Sequence, residues 1–339
     1  MRNKISLKDI AKAVGVSTAL VSYVLNNRER EARVSPETAK KIREAAKELN
    51  YQPNQLAKSL KSGKSLAIGL ILADISNPFF GHLARTIEDE SKKKGYTVIV
   101  GSSDENYKNS ERLMNTFIER QIDGFIIAPA EGSEAQLKYL NELNIPFVLI
   151  DRYFKEIESS YVVIDNFRAT HDATAKLLEL GHQNVAFVCY NNQLQHTIDR
   201  YNGYSKAMEE AGKKVTSKLL CKVKFNNPGD FHLKFRNLMT KGNKIDAVLF
   251  STNTLSTLGL KTLMDLGIKI PDEVAVFCFD ESESYDLFYC PVSYVSQPLK
   301  EIGQRAVQIL VEMIGAKSGF HRQVILNSEL VIRESCEKR

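Results

Sequence analysis

The chain has 339 residues, is 43% hydrophobic and carries a formal net charge of +5, which is enough apolar content for two or three packed domains. No apolar run approaches the roughly 20 residues that span a bilayer, and the charged start (Arg2, Lys4, Lys8, Asp9, Lys12) does not read as a signal peptide, so no membrane partner is expected. Five scattered cysteines, Cys189, Cys221, Cys278, Cys290 and Cys336, form no CxxC; they exclude a disulfide scaffold and suit a reducing cytoplasm.

The charge is uneven along the chain. Residues 1–65 hold 14 Lys/Arg and 6 Asp/Glu; from totals of 46 and 41, the remainder holds 32 and 35, so a +8 head precedes a −3 body. That head opens with "SLKDIAKAVGVSTALVSYVLNN", residues 6–27. Ser6 with Asp9 three residues on is a capping-box-like start. Leu7, Ile10, Ala11 and Val14 then recur at helical spacing. Gly15 suits a left-handed helix end, and Ser17 can cap a second helix whose apolar side is Val21, Val24 and Leu25. Two helices joined by so short a turn cross steeply, as in a helix-turn-helix, which turns Thr18, Ala19, Ser22 and Tyr23 outward. A third helix follows Ser35 and Pro36 and closes a small core with Ile42, Ala45, Ala46 and Leu49. The basic charge makes duplex DNA the favoured partner of this bundle.

"YQPNQLAKSLKSGKS", residues 51–65, joins head to body. Pro53 blocks continuation of the third helix. Residues 54–60 can form about two turns that are unstable alone, and Leu56, Ala57 and Leu60 have no local core there. They need an outside surface.

From Leu66 the pattern changes to repeated β-α units. Apolar strand-like runs fall at 66–73, 96–101, 123–128 and 146–151, and a second series at 161–165, 184–190, 219–225, 246–251 and 274–279. Helical segments separate most of them, among them 79–94, 108–121, 166–180, 199–211 and 254–267. Near-continuous apolar strands alternating with helices predict an α/β body of two doubly wound parallel sheets. Ligands are then expected at the strand C-terminal ends and in the cleft between lobes. The chain has no GxGxxG, GxxxxGK[ST], GxSxG or HExxH. Asp280 and Glu281 are adjacent at a strand end and point apart, and neither the cysteines nor the six histidines have metal-ligand spacing. The expectation is binding without chemistry: no enzyme, no metal and no cofactor.

Together "SLKDIAKAVGVSTALVSYVLNN", "VSPETAKKIREAAKELNYQPNQLAKSLKSGKS", "IGLILADISNPFF", "LELGHQNVAFV" and "AVFCFDE" resemble the lac-repressor (LacI/GalR) family of bacterial transcription regulators, from Ile5 to about Arg333. The resemblance implies a helix-turn-helix head at 1–50, a hinge at 51–65 and, at 66–339, a body of the type I periplasmic-binding-protein fold. Three crossovers would divide that body into an N-lobe of about 66–162 plus 296–325 and a C-lobe of about 163–295 plus 326–339. It implies an effector-controlled regulator, a repressor, acting as a homodimer on a palindromic operator in the cytoplasm. The dimer interface would lie on the helix at 79–94 and its C-lobe counterparts.

Residue by residue, the positions that read bases correspond to Thr18, Ala19, Ser22 and Tyr23, with Ser17 and Thr38 as phosphate contacts at helix starts. Many members carry Arg where this chain has Tyr23. Arg grips guanine O6 and N7 together and a phenol hydroxyl cannot, so that guanine preference is not carried over. Leu60 matches the leucine that wedges into the minor groove when the hinge folds on DNA, with Ala57 beside it and Asn54 and Lys58 as phosphate or groove contacts. Effector positions correspond to Phe79, Phe80, Asp151, Arg200, Phe225, Phe231, Asn253, Asp280 and Gln297. Arg200 and Asp280 can bracket vicinal hydroxyls while an aromatic face covers a ring, which suits a sugar. Thr254, where many sugar-responsive members have Asp, keeps a purine-responsive regulator as an alternative. A cytoplasmic carrier or sensor whose head docks a protein is the alternative from another class.

Overall fold

The computed structural model describes residues 5–51, 63–242, 244–316 and 320–337. The hinge candidates Asn54, Ala57, Lys58 and Leu60 lie outside the described residues. The chain divides into two units, Met1–Ser65 and Leu66–Arg339.

The first unit holds three helices, α1 (Leu7–Val14), α2 (Thr18–Leu25) and α3 (Pro36–Glu48). Each begins where its side chains satisfy free backbone donors. The Asp9 carboxylate accepts from the Ser6 backbone N–H at 2.8 Å and from Ser6 Oγ at 2.7 Å. Ser17 Oγ accepts from the Leu20 N–H at 3.2 Å, and Ser35 Oγ from the Thr38 N–H at 3.1 Å. Gly15 ends α1 at φ +74°, a left-handed conformation that costs a Cβ-bearing residue more. Ile10, Val21, Val24 and Ile42, one or two from each helix, are fully buried together with Ala11, Ala39 and Ala46. At roughly 1.5–3 kcal/mol for each large side chain removed from water, these few contacts hold the bundle.

The second unit contains two six-stranded sheets. Along the chain run β1 (Ala67–Leu72), β2 (Thr97–Ser102), β3 (Gly124–Ile127), β4 (Phe147–Ile150), β5 (Ser160–Ile164), β6 (Val185–Tyr190), β7 (Leu220–Val223), β8 (Ala247–Phe250), β9 (Ala275–Phe279), β10 (Ser293–Ser296), β11 (Gln323–Leu326) and β12 (Glu329–Val331). The orders are β11-β5-β4-β3-β1-β2 and β12-β10-β9-β8-β6-β7. The two series wind identically, and each takes its last strand from the end of the chain. Every pairing is parallel except β10 with β12. Strands β3, β4, β5, β8 and β9 are buried at every residue, as expected for sheets covered on both faces.

The helices of this unit are α4 (Pro78–Lys93), α5 (Tyr107–Glu119), α6 (Glu134–Glu142), α7 (Asn166–Glu179), α8 (Gln195–Glu210), α9 (Pro228–Thr240), α10 (Asn253–Asp265), α11 (Ser284–Leu287) and α12 (Leu299–Gly315). The chain passes between sheets after β5, between β10 and α12, and between β11 and β12, because α12 packs on α4, β3, β4 and β5. Helices α7 and α8 approach closely at Gly203, where a Cβ would stand 2.2 Å from the Phe167 carbonyl oxygen. None of the described helices is long and apolar enough to cross a membrane.

Candidate effector cleft and DNA-reading surface

On the head, the N-terminus of α2 presents the expected base-reading positions. Thr18, Ala19 and Tyr23 are exposed and Ser22 is half-buried, while the intervening Val21 and Val24 turn into the core. Ser17 is occupied as the α2 cap, and Thr38 Oγ1 lies 2.9 Å from Ser35 Oγ at the start of α3. Both hydroxyls stand at helix N-termini, where backbone N–H groups and the helix dipole favour an anion. Arg28 reaches over the Tyr23 ring at 5.8 Å while its guanidinium pairs with Glu31, a neighbour that the residue-by-residue correspondence did not include. Several other basic side chains are paired within the head, Lys41 with Glu37 and Arg43 with Glu29. Lys8, Lys12, Arg30, Arg33 and Lys47 are exposed and make no ion pair among the described residues.

In the body the strand ends build one polar cavity of about 130 Å³ between the sheets. Asp151 directly follows β4, Asp280 directly follows β9, and these are the fourth strands of the two series. Both aspartates adopt left-handed backbone, φ +66° and +65°. Asp tolerates that region better than most residues, and such strain concentrates where a side chain must be aimed.

Arg200, in α8, is 3% exposed and stacks its guanidinium 3.7 Å from the centroid of Phe279. Its Nε donates to Asn166 Oδ1 at 2.7 Å and its Nη1 to the Ser251 carbonyl at 2.6 Å, which leaves Nη2 for the cavity. Burial holds the Arg200 pKa below its ordinary value, against the opposing pull of Asp280 and Asp151. Burial also pushes the Asp280 carboxyl up to about 6, although Arg200 and the 2.6 Å hydrogen bond from Gln297 Nε2 favour its charged form. Desolvation dominates at both ends of this pair.

Arg152 is held differently. Its two terminal nitrogens each donate to a Glu105 oxygen at 2.7 Å, and Nε lies 3.2 Å from Asp151 Oδ2. Burial opposes its charge, but Glu105 and then Asp151 outweigh burial and raise the pKa. His196, 7% exposed, has an unpartnered Nδ1 among the described residues. Burial, reinforced by Arg152 and Arg200, holds its pKa well below the usual value, so it stands in the wall as a neutral ring. Across the cleft, Asn77 and Asn253 exchange amide hydrogen bonds, 3.2 Å in one direction and 2.6 Å in the other. Aromatic rings close the sides, Phe79 edge-on to Phe80 at 5.0 Å and Tyr190 to Phe225 at 5.2 Å.

Of the nine sequence-derived effector positions, Phe79, Phe80, Asp151, Arg200, Phe225, Asn253 and Asp280 line this cavity. Gln297 stands behind Asp280 and opens instead on a shallow surface groove of about 980 Å³ between α4 and α12. That groove is larger, but its walls are the outer faces of two helices, with Lys300, Glu301, Arg305 and Gln308 among them, and most of the cleft's charged groups do not reach it. Phe231 belongs elsewhere and must be corrected. It is 1% exposed in the core beside the second sheet and stacks on Phe235 at 5.3 Å. The helical period of α9 turns Phe231, Phe235 and Leu238 inward together. The cavity also contains Asp74, Glu105, Arg152, Tyr190 and His196, which sequence reasoning missed. Arg152, adjacent to Asp151, and Asp74, inside the "IGLILADISNPFF" stretch that also holds Phe79 and Phe80, carried a signal that could have found them. With no group of three His, Cys, Asp or Glu side chains placed to hold a metal among the described residues, the arrangement is suited to hydrogen bonding and stacking.

Comparison with known proteins places both parts. Residues 6–54 match the bacterial regulatory proteins of the lacI family, and residues 174–336 match the periplasmic binding protein-like domain. The HTH-type transcriptional regulator RegA of Clostridium saccharobutylicum is 33% identical over 335 residues, covering 97% of this chain and 98% of that protein. The ribose operon repressor of Halalkalibacterium halodurans is 31% identical over 335 residues, covering 97% and 96%. The structure of the lac repressor dimer bound to operator and an anti-inducer superposes with a TM-score of 0.86 at 20% identity, covering 99% of this chain and 100% of that one, a likeness of fold.

Proposed function

This chain belongs to the lacI family of bacterial regulatory proteins, and from that premise we propose that it represses transcription as a homodimer on a palindromic operator, releasing or gripping DNA according to a sugar bound in the body. It is a DNA-binding transcription regulator and not an enzyme. The head of residues 1–50 reads DNA through Thr18, Ala19, Ser22 and Tyr23, with Ser17 and Thr38 on phosphates. The hinge of residues 51–65 contributes Asn54, Ala57, Lys58 and Leu60 at the minor groove, where a wedge exchanges unstacking for bent DNA and more contact. The body of residues 66–339 binds effector and pairs the subunits, and the protein acts in the cytoplasm.

The observation that carries the effector half is the convergence of Asp151, Asp280 and the free Nη2 of Arg200 beneath Phe79, Phe80 and Phe225. Carboxylates accept from vicinal hydroxyls, a guanidinium donates to them, and aromatic faces cover the apolar side of a pyranose or furanose ring. A cavity of about 130 Å³, below the ~300 Å³ at which pockets for drug-sized ligands begin, fits one sugar ring. The name of the ribose operon repressor, to which the chain is similar, agrees with that class. Selection from random duplex DNA tests the operator half. It should return a palindrome with half-sites about one helical turn apart, and adding the correct sugar should change the affinity for it. An asymmetric selected site overturns the dimeric reading.

A further inference from the structure

Four carboxylates line the cleft, Asp74, Glu105, Asp151 and Asp280, against two guanidiniums, Arg152 and Arg200, and no lysine among the described residues lines it. The wall therefore carries a formal charge of −2. The cations are also committed. Arg152 gives both terminal nitrogens to Glu105 and its Nε to Asp151, and Arg200 keeps only Nη2 free of acceptors among the described residues. Three helix N-termini face the cavity and could hold an anion, but at two of them, those of α4 and α10, the chain's own side chains already use the first donors. Asn77 Oδ1 accepts from the Phe79 N–H at 3.0 Å, Asn253 Oδ1 from the Thr254 N–H at 2.8 Å and Thr252 Oγ1 from the Leu255 N–H at 3.3 Å. Helix α8 begins at the cavity without a side-chain cap, and there His196 stands in the wall.

We infer that the cleft takes an uncharged, polyhydroxylated ligand and discriminates against its phosphate ester, a conclusion that rests on the sugar reading above. The charged groups that remain are chiefly carboxylates, which match hydroxyl donors, while Tyr190, Asn192, Asn226, Thr252 and Thr254 add neutral hydrogen-bonding groups without positive charge. A phosphate brings up to two negative charges and three further acceptors into a wall that is already negative and whose two cations are largely committed to the chain's own acceptors. Repulsion between such charges a few ångströms apart is poorly screened when buried. The selective group is Asp74, half-buried on the loop after β1. Its Oδ1 accepts from the backbone N–H and hydroxyl of Ser76, and no cation pairs with it among the described residues.

The test is a thermal-shift and calorimetric titration of the full chain with D-ribose, D-glucose, D-fructose and D-galactose, with the phosphate ester of each, and with hypoxanthine and guanine. One free sugar should bind, and its ester should bind roughly 100-fold more weakly. Asp74→Asn, which keeps the shape and removes one charge, should narrow that ratio roughly tenfold while leaving the melting temperature near that of the wild type. An ester that binds as tightly as its sugar, or an unchanged ratio in Asp74→Asn, overturns the charge argument and leaves the sugar reading in place. A purine base that binds when no sugar does overturns the sugar reading, and no binding by any probe overturns both.

Discussion

Replacing Asp280 by Asn should stabilise the ligand-free protein above pH 7 and disable its response to effector. The carboxyl is pushed from an ordinary 3.8 up to about 6 by burial. Between those values the folded chain keeps a proton that the unfolded chain has lost, so stability falls as pH rises from 3.8 to 6 and stays reduced above it. A rise of that size corresponds to about 3 kcal/mol. The amide of Asp280→Asn would have no charge to bury and could still accept from the Asn253 backbone N–H, and a turned Gln297 amide could meet its NH₂ group. The variant should therefore melt about 5–10 °C higher than the wild type at pH 8. At about pH 4, where the folded chain keeps Asp280 protonated, the two should nearly coincide. His196 has a depressed pKa and so a stability contribution of the opposite sign, lost as pH falls below its ordinary value, but it is present in both proteins and cancels. Calorimetric scans at closely spaced pH values make the comparison. An equal difference in acid and in mild base, or a variant less stable than the wild type in mild base, would refute the claim that Asp280 is an ion held against desolvation.

Ser22→Ala or Tyr23→Ala should weaken operator binding by roughly 1–3 kcal/mol while sparing ligand binding; equal losses on random DNA in a fluorescence-anisotropy titration would assign both residues to phosphates or to the head's folding. Arg200→Ala should cost stability as well as effector response, because the side chain holds Asn166 and the Ser251 carbonyl besides facing the cavity; loss of roughly 1–3 kcal/mol per orphaned buried group should appear in urea unfolding, and normal regulation in cells would remove Arg200 from the site. Gly203→Ala places a methyl 2.2 Å from the Phe167 carbonyl, and the forced separation of α7 from α8 should cost about 1–3 kcal/mol, read as a lower denaturation midpoint. Sedimentation at micromolar concentration should give about twice the 38.2 kDa chain mass; a monomer that footprints one half-site would sink the twofold mechanism.

The parts of this fold that were legible are those whose local pattern agrees with their final environment. Strand β1 at Ala67–Leu72 and helix α4 at Pro78–Lys93 fall within a residue or two of their sequence-derived ranges, since a buried apolar run and a capped 3.6-residue period each specify themselves. The nine strands of the two series are joined by β10, β11 and β12, of three or four residues each. "SYVS", "QVIL" and "ELV" become strands only by pairing with β9, β5 and β10. In the cleft, Asp151, Arg200 and Asp280 could be named because the family resemblance assigns effector contacts to those positions, and Asp151 and Asp280 directly follow strands. Glu105 and His196 could not. Their roles arise from where two segments far apart in sequence meet, Glu105 against Arg152 and His196 between two guanidiniums. Phe231 misled because an aromatic near a strand end looks alike whether the following helix turns it inward or toward the cleft.

Under the proposed function, the repeated winding accounts for how this cleft would act as a sensor. Each series carries an aspartate at the same place, just past its fourth strand, so a ligand held by Asp151 and Asp280 is held by both sheets at once. The lobes already touch without it through the reciprocal Asn77–Asn253 amides. Two such hydrogen bonds contribute about 1–3 kcal/mol net, whereas moving a two-state equilibrium from one extreme to the other takes roughly 5.5 kcal/mol of differential affinity. The amide pair can therefore bias the lobes and cannot by itself lock them. The remainder must come from contacts a ligand makes in one arrangement and not the other, and the two aspartates are placed to supply them. Because desolvation opposes the charge of both Asp280 and Arg200, hydroxyls that hydrogen-bond to the pair would replace water those groups lost on folding. Asp280 and Arg200 both belong to the second series, so under the proposed function such a ligand would couple the sheets only through the contact it also makes with Asp151 after β4, and that contact would supply the differential free energy that allosteric control requires.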